Sequence, residues 1–146
     1  MGQRVYNFDA EMLLKDAGLI AADDNAQVAS VDQILDLGAA RMDGVVVLDV
    51  TAVEIADNNE LYHVILQGSN SSTFASGIEN LACMTFGATE VRPGGAKDST
   101  VGRYEMPFTN EQDDVTYRYV RIAIDVGGTI GTGINFTAFI APQQGC

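Results

Sequence analysis

The sequence contains no tryptophan, one histidine and only two cysteines. The single histidine, His63, excludes metal centres that are built from several histidines. Without a positioned base, none of the serines is predicted to act as a nucleophile. Cys83 and Cys146 have no neighbour at CxxC spacing, and a cysteine inside an apolar run, such as Cys83, is typically a small buried hydrophobe. The composition therefore predicts a protein that is not an enzyme and needs no metal or other cofactor.

Positive charge is scarce as well. Eight Lys and Arg residues stand against 20 Asp and Glu residues, which gives a net charge of −12. Because clustered cations supply the affinity for phosphates, nucleic-acid binding is disfavoured. No apolar run approaches the ~20 residues of a membrane-spanning helix, so no membrane association is expected. The first residues lack the basic and apolar segments of a secretory signal, so we expect synthesis in a cytoplasm.

Three loops carry enough carboxylates to be considered as cation sites. They lie at residues 23–25, 57–60 and 111–114. None of them has the ligand periodicity of an EF-hand, so we predict solvated turns. A carboxylate pair for glycoside hydrolysis stays open at this point, although a chain without tryptophan lacks the commonest platform for stacking sugars.

One glycine-rich segment suggests phosphate binding at first sight. Residues 125–129, Asp-Val-Gly-Gly-Thr, follow an apolar strand and resemble the phosphate loop of actin-like sugar kinases. In those proteins the loop opens the first of two large domains, whereas here the chain ends soon afterwards. We therefore predict that the glycines between residues 127 and 133 allow positive φ angles in a connection between two antiparallel strands.

The remaining pattern is that of strands separated by turns. Apolar runs rich in β-branched residues predict strands at 45–55, 61–67, 81–86, 103–108, 117–126 and 134–140. Two shorter apolar pieces, at 19–22 and 34–37, bring the number to about eight. Short strands without helical periodicity between them favour an all-β, two-sheet sandwich or barrel. We expect one domain over residues 17–146.

The segment before that domain is unusually apolar. Its apolar residues are Val5, Tyr6, Phe8, Met12, Leu13 and Leu14. A segment of this kind either completes a core or docks on a partner. Residues 1–16 are accordingly predicted to form an N-terminal arm or short helix, and the six apolar side chains are the candidate partner-binding residues.

Several segments of the chain carry a family resemblance when they are taken together. They are Ile34-Leu35-Asp36-Leu37-Gly38, Leu66-Gln67-Gly68-Ser69-Asn70 followed by Phe74, Arg121, and Gly133-Ile134-Asn135-Phe136-Thr137-Ala138-Phe139-Ile140-Ala141-Pro142. This arrangement, over roughly residues 15 to 142, resembles the jelly-roll cement or decoration proteins of tailed bacteriophage capsids.

This resemblance implies an antiparallel, jelly-roll-like β-sandwich of about eight strands. It also implies a structural protein on the outer capsid surface of a virion, with the major capsid protein and a second copy of itself as partners. Such proteins clamp neighbouring capsid subunits against internal pressure. A carbohydrate-binding or adhesion β-sandwich module is the alternative, because it would share the fold. A small hydrolase is a third class, which clustered and perturbed carboxylates in a cleft would favour.

Overall fold

Two antiparallel sheets packed face to face make up most of the molecule. A computed structural model describes residues 9–142. A single 3-10 turn (Ala10–Met12) precedes the first strand. In chain order the strands are β1 (Leu13–Lys15), β2 (Leu19–Ile20), β3 (Asp24–Asn25), β4 (Gln27–Val28), β5 (Val31–Asp32), β6 (Leu35–Asp36), β7 (Asp43–Val53), β8 (Leu61–Ser69), β9 (Glu79–Gly87), β10 (Gly102–Thr109), β11 (Glu111–Gln112), β12 (Val115–Thr116), β13 (Tyr119–Gly127) and β14 (Ile134–Pro142).

The strands are divided between two main sheets. The first sheet has the order β1-β14-β7-β10, and β2 also pairs with β14. The second sheet has the order β3-β13-β8-β9, and β6 also pairs with β13. Every pairing is antiparallel, and β4-β5 and β11-β12 form two small hairpins. The prediction of an all-β antiparallel sandwich is confirmed.

The core lies between the inner faces of the two sheets. Alternation along β8 places Tyr62, Val64 and Leu66 inside, and the pattern of β13 does the same for its own apolar residues. Burying each such side chain contributes roughly 1.5–3 kcal/mol. The fully enclosed core side chains of the two central strands of the first sheet are Val46, Leu48, Ile134, Phe136, Ala138 and Ile140.

The six longer strands agree with the six predicted runs to within a few residues at either end. Residues 57–59 form the expected turn before β8. The two-residue strands β3, β4, β5, β11 and β12 had no predicted counterpart, because two residues are too few to show an alternating pattern.

Cys83 is exposed on the outer face of β9, so the expectation that it is buried was wrong. It pairs with Ile65, whereas the neighbouring Met84 pairs with the buried Val64. The apolar run around Cys83 belongs to an outer strand, where alternate side chains point away from the core. Hydrophobic neighbours along the sequence therefore did not imply burial here.

Candidate functional site

The described part of the predicted N-terminal arm belongs to the sandwich. Leu14 is fully enclosed in the core, Met12 packs against the same core, and Leu13 packs against a second apolar cluster described below. The strand β1 pairs with β14. Leu14 therefore has no surface left for a partner, and the predicted boundary at residue 16 lies inside the fold. The candidate residues Val5, Tyr6 and Phe8 lie outside the described residues.

Lys15 joins this N-terminal strand to the rest of the molecule. Its side chain is enclosed, and Nζ donates to the carbonyl oxygens of Asp16, Gly18 and Phe136 at 2.9, 2.9 and 2.8 Å. The ammonium group also lies 4.7 Å from the centre of the Phe136 ring. Burial lowers the pKa of Lys15 to about 8, and the nearby Asp16 carboxylate opposes that shift. All three ammonium protons have acceptors, so this lysine holds the fold together and is not available as a nucleophile.

Part of the first sheet is apolar on both faces. Val46 and Leu48 face the core, whereas Val45 and Val47 lie on the opposite side and are also fully buried. The outer cluster consists of Val45, Val47, Phe139 and Ala141, with Leu13 packed against it. A strand that is apolar on both sides is typical of a sheet that is covered on both faces. The part of this outer face around Val45 and Val47 is therefore covered, whereas Arg103, Glu105 and Pro107 of β10, on the same face, are exposed.

A groove of about 390 Å³ borders that outer cluster. The guanidinium group of Arg103 forms a two-pronged ion pair with Asp49, at 2.7 and 2.9 Å, and lies 5.9 Å from the centre of the Phe139 ring. The groove is lined by Leu13, Asp16, Ala17, Asp49, Arg103, Thr137 and Phe139. An apolar floor beside a satisfied ion pair suits contact with a polypeptide segment and offers no acid-base pair for catalysis.

Arg121, on the second sheet, contacts two other residues that carry the family resemblance, Phe74 and Gln67. The Arg121 guanidinium lies 4.4 Å from the centre of the Phe74 ring, and Nε donates to Oε1 of Gln67 at 3.0 Å. Phe74 has a φ of +55°, which a bulky residue rarely adopts, and its side chain is buried. The ion pairs found within residues 9–142 join Arg41 to Asp43, Arg103 to Asp49 and Arg118 to Asp36, and none of them involves Arg121. Sequence reasoning singled out these residues, but not their mutual contact.

Two carboxylates in or just before the acid-rich loop at 57–60 have structural roles, so the prediction of a solvated turn was wrong for Glu60. Both carboxylate oxygens of Glu54 accept hydrogen bonds from the backbone N–H groups of residues 131–133, at 2.7 to 3.1 Å. These bonds lower the pKa of Glu54. Glu60 is fully enclosed, and its Oε1 accepts from the N–H of Asp57 at 2.6 Å. No group of His, Cys, Asp and Glu side chains within residues 9–142 is arranged to hold a metal ion.

The prediction of positive φ angles in the glycine-rich connection is confirmed for Gly128 and Gly133 and was wrong for Gly127 and Gly131. Gly128 has a φ of +96°, and a Cβ placed there would lie 2.1 Å from the carbonyl oxygen of Asn59. Asn59 in turn accepts from the N–H of Thr129 at 3.0 Å. The segment thus connects β13 to β14 while packing against the turn before β8. His63 is an ordinary sheet residue whose Nδ1 lies 3.0 Å from Oγ1 of Thr85.

No protein-family model matches the chain, and no curated protein matches its sequence. Within the part of the chain that the structure describes, no helix is long and apolar enough to cross a membrane. The function is therefore inferred from the fold, its surfaces and the resemblance carried by the segments above.

Proposed function

We propose that this chain is a non-enzymatic structural protein that binds the outside of a bacteriophage capsid and cements neighbouring major capsid subunits. Its partners are the major capsid protein and a second copy of itself. Its place is the outer capsid surface of the virion. The proposal combines three kinds of support: the winding of the sheets, the contacts of the resembling segments, and the character of the surface.

The strand order is the observation that carries the proposal. If β1 with β2 counts as the first strand, and β3 with β6 as the second, the six long strands become the third to the eighth. The two sheets then have the orders 1-8-3-6 and 2-7-4-5. This is the order of two interleaved Greek keys, and we infer from it that the sandwich is a jelly roll. The family that the sequence resembles has that fold, although a fold alone does not define a function.

Two of the resembling segments make contacts that stabilise the second sheet, and a third forms a strand of the first sheet. Asp36 in β6 accepts two hydrogen bonds from Arg118, at 2.8 and 2.9 Å, which attaches β6 to the start of β13. The contact of Arg121 with Phe74 and Gln67 fastens the connection after β8 to the outer face of the same sheet. The closing segment is β14, the second strand of the first sheet. The resembling segments therefore include residues that attach β6 and the connection after β8 to the second sheet.

The surface suits a clamp on a protein shell. A net charge of −12 disfavours contact with packaged DNA and is compatible with a position outside the head. A groove whose lining includes Leu13, Arg103 and Phe139 borders the outer face of the first sheet. The apolar side chains Val5, Tyr6 and Phe8 precede the first described residues, and we propose that they contribute to capsid docking.

Binding to capsids tests this function. Purified protein is mixed with expanded, DNA-free heads of tailed phages that lack their own decoration protein, and binding is measured by co-sedimentation. We expect saturable binding to heads of a matching host range and a higher temperature of head disruption. Removal of residues 1–8 should weaken binding at least about tenfold. Removal of residues 143–146 is the matched control, and it should leave binding unchanged.

Two outcomes would contradict the proposal. One is a folded protein that binds none of the heads in such a panel. The other is saturable binding to an immobilised glycan in place of heads, which would support the carbohydrate-binding alternative. If both truncated proteins bind heads like the full chain, the docking role of residues 1–8 is wrong while capsid binding itself stands.

A further inference from the structure

The outer cluster of the first sheet is covered by more than its own side chains. Val45 and Val47 face away from the core of the sandwich, yet both are 0% exposed. An outward-facing valine of a two-layer sandwich keeps part of its surface in water unless a further layer lies over it. Within residues 9–142, the partly buried apolar residue that packs against the cluster is Leu13. Leu13 lies two strands away from β7, about 10 Å, so it does not cover both valines.

The chain that precedes β1 leads toward this cluster. The strand β1 runs antiparallel to β14, and Leu13 lies opposite Phe139. Residues before Leu13 therefore continue alongside Ala141, and the 3-10 turn that precedes β1 contacts β14. Ala141 in turn lies opposite Val45 of β7. The chain before Asp9 thus starts next to the covered part of the outer face.

Residues 1–8 are long enough to cross the sheet from there. The path from β1 over β14 and β7 to β10 is three strand spacings, or about 14 Å. Five residues in extended conformation, from Asp9 back to Arg4, span about 16–18 Å. Arg4 therefore reaches β10, while residues 5–8 lie within reach of β14 and β7.

The side chains of this segment match the face that it can cross. In an extended chain, residues 4, 6 and 8 point to the same side, which combines Arg4 with Tyr6 and Phe8. Arg4 is the one cation of residues 1–8, which contain no carboxylate. Glu105 lies opposite Val47 on the outer face of β10. Two aromatic rings for the apolar cluster and one guanidinium for Glu105 are complementary to this surface.

Other segments are less suited to cover the cluster. Residues 143–146, Gln-Gln-Gly-Cys, offer two amides, a glycine and a thiol, and so can bury little apolar surface. The N-terminal segment of a second copy has the same side chains, but it loses translational and rotational freedom on binding. The segment of the same chain is tethered next to the cluster and therefore acts at a high effective concentration.

We propose that residues 1–8 of the free protein form a strap across the outer face of the first sheet, with Phe8 and Tyr6 on the outer cluster and Arg4 paired with Glu105. The strap itself does not rest on the capsid role, but its regulatory effect does. A capsid subunit that engages Tyr6 and Phe8 has to displace them from the sheet, and this displacement exposes the outer cluster to the same subunit. The strap is thus an autoinhibitory contact that capsid binding releases.

A single tryptophan reports on the strap, because the chain contains none. In Tyr6→Trp the indole replaces a side chain that faces the sheet, and in the matched control, Val5→Trp, it replaces one that faces solvent. We expect the emission of Tyr6→Trp to lie at shorter wavelength and to be quenched much less by acrylamide. Both signals should be independent of protein concentration, since the strap is intramolecular. Thermal unfolding shows that each variant is folded.

Charge exchange tests the contact of Arg4 with Glu105. In the Tyr6→Trp background, Arg4→Glu or Glu105→Arg alone should open the strap and increase quenching, and the two together should restore the original signal. Because exposed ion pairs are weak, each single change should shift the opening equilibrium about twofold to fivefold. Deletion of residues 1–8 should expose the outer cluster to a hydrophobic dye, whereas deletion of residues 143–146 should not.

Four results would overturn the strap. They are equal quenching of Tyr6→Trp and Val5→Trp in folded proteins, no restoration by the double charge exchange, and dye binding that follows deletion of residues 143–146 but not of residues 1–8. The fourth is an emission shift that grows with protein concentration, because it places the segment on a second copy. All of these measurements use the free protein, whereas co-sedimentation with heads measures capsid binding, so failure of the strap is distinguishable from failure of the capsid function.

Discussion

The Nζ atom of Lys15 lies 2.8 Å from the carbonyl oxygen of Phe136, and this contact ties the first described strand to the last one. Leu14, next to it, is fully enclosed in the core. Residues 13–15 are therefore part of the sandwich, and any docking role of the N-terminal segment belongs to residues before them. The following predictions test that division, the contacts that hold the sheets, and the proposed place of the protein.

Truncation should separate core from arm. Deleting residues 1–16 removes Leu14 and Lys15, so we expect a large loss of stability. Leu14→Ala alone should cost about 2–5 kcal/mol, because it leaves a cavity in the core. Leu19→Ala is the matched control, since Leu19 is 55% exposed, and it should change stability by no more than about 0.5 kcal/mol. Chemical denaturation measures both, and equal effects would show that Leu14 is not a core residue.

Lys15 should make the stability depend on alkaline pH. The pKa of Lys15 is about 8 in the fold against 10.5 for a lysine in water, so between these pH values the unfolded chain binds more protons than the folded chain. The buried charge of Lys15 lowers the free energy of unfolding at neutral pH. The free energy of unfolding therefore increases as the pH rises from about 8 to 10.5 and Lys15 loses its proton in the fold. Relative to Lys15→Met, the wild type should gain on the order of 1–2 kcal/mol over this range. A difference between the two proteins that stays constant with pH would contradict the buried environment of this ammonium group.

The Asp36 carboxylate should contribute to acid sensitivity. Hydrogen bonds from Arg118, and then from the N–H of Gly38, lower the pKa of Asp36 to about 2 from 3.8. The stabilisation that the ionised Asp36 contributes is complete above about pH 4 and is lost as the pH falls toward 2. The variant Asp36→Asn should be less stable than the wild type at neutral pH and should approach it near pH 2. Unfolding curves of both proteins, measured from pH 7 to pH 2, check this convergence. A difference in stability that stays constant with pH would show that the ion pair of Asp36 with Arg118 does not cause it.

Glu54 should control the connection between β13 and β14. Its carboxylate accepts from the N–H groups of Gly131, Thr132 and Gly133. Glu54→Ala should lower the melting temperature by a few degrees and speed amide hydrogen exchange at these three positions. Asp57→Ala, in the following turn, is the control, because the carboxylate of Asp57 makes no hydrogen bond to this connection. Unchanged exchange in Glu54→Ala would show that the loop is held by its packing against Asn59 alone.

The long strands could be predicted from the sequence because their apolar residues either alternate with polar ones or form a continuous run. Most of these strands are nine or more residues long, which is enough to show such a pattern. It did not predict that Glu60, in the loop at 57–60, is fully enclosed. It also missed the contact of Glu54 with Gly133, because the two residues lie far apart in the chain. It could not reveal that Leu14 is enclosed, because an apolar segment ahead of a sandwich has the same composition whether it docks or packs. The contact of Arg121 with Phe74 depends on a positive φ at Phe74, for which a phenylalanine gives no local signal.

Cryo-electron microscopy of expanded phage heads incubated with the purified protein tests the central claim most directly. The account predicts additional density on the outer surface of the shell, bridging neighbouring major capsid subunits, into which the two sheets of the sandwich fit. It also predicts that this density disappears or weakens when residues 1–8 are removed. Heads that carry no additional density at saturating protein, or density confined to tail fibres or to the inside of the shell, would contradict the account.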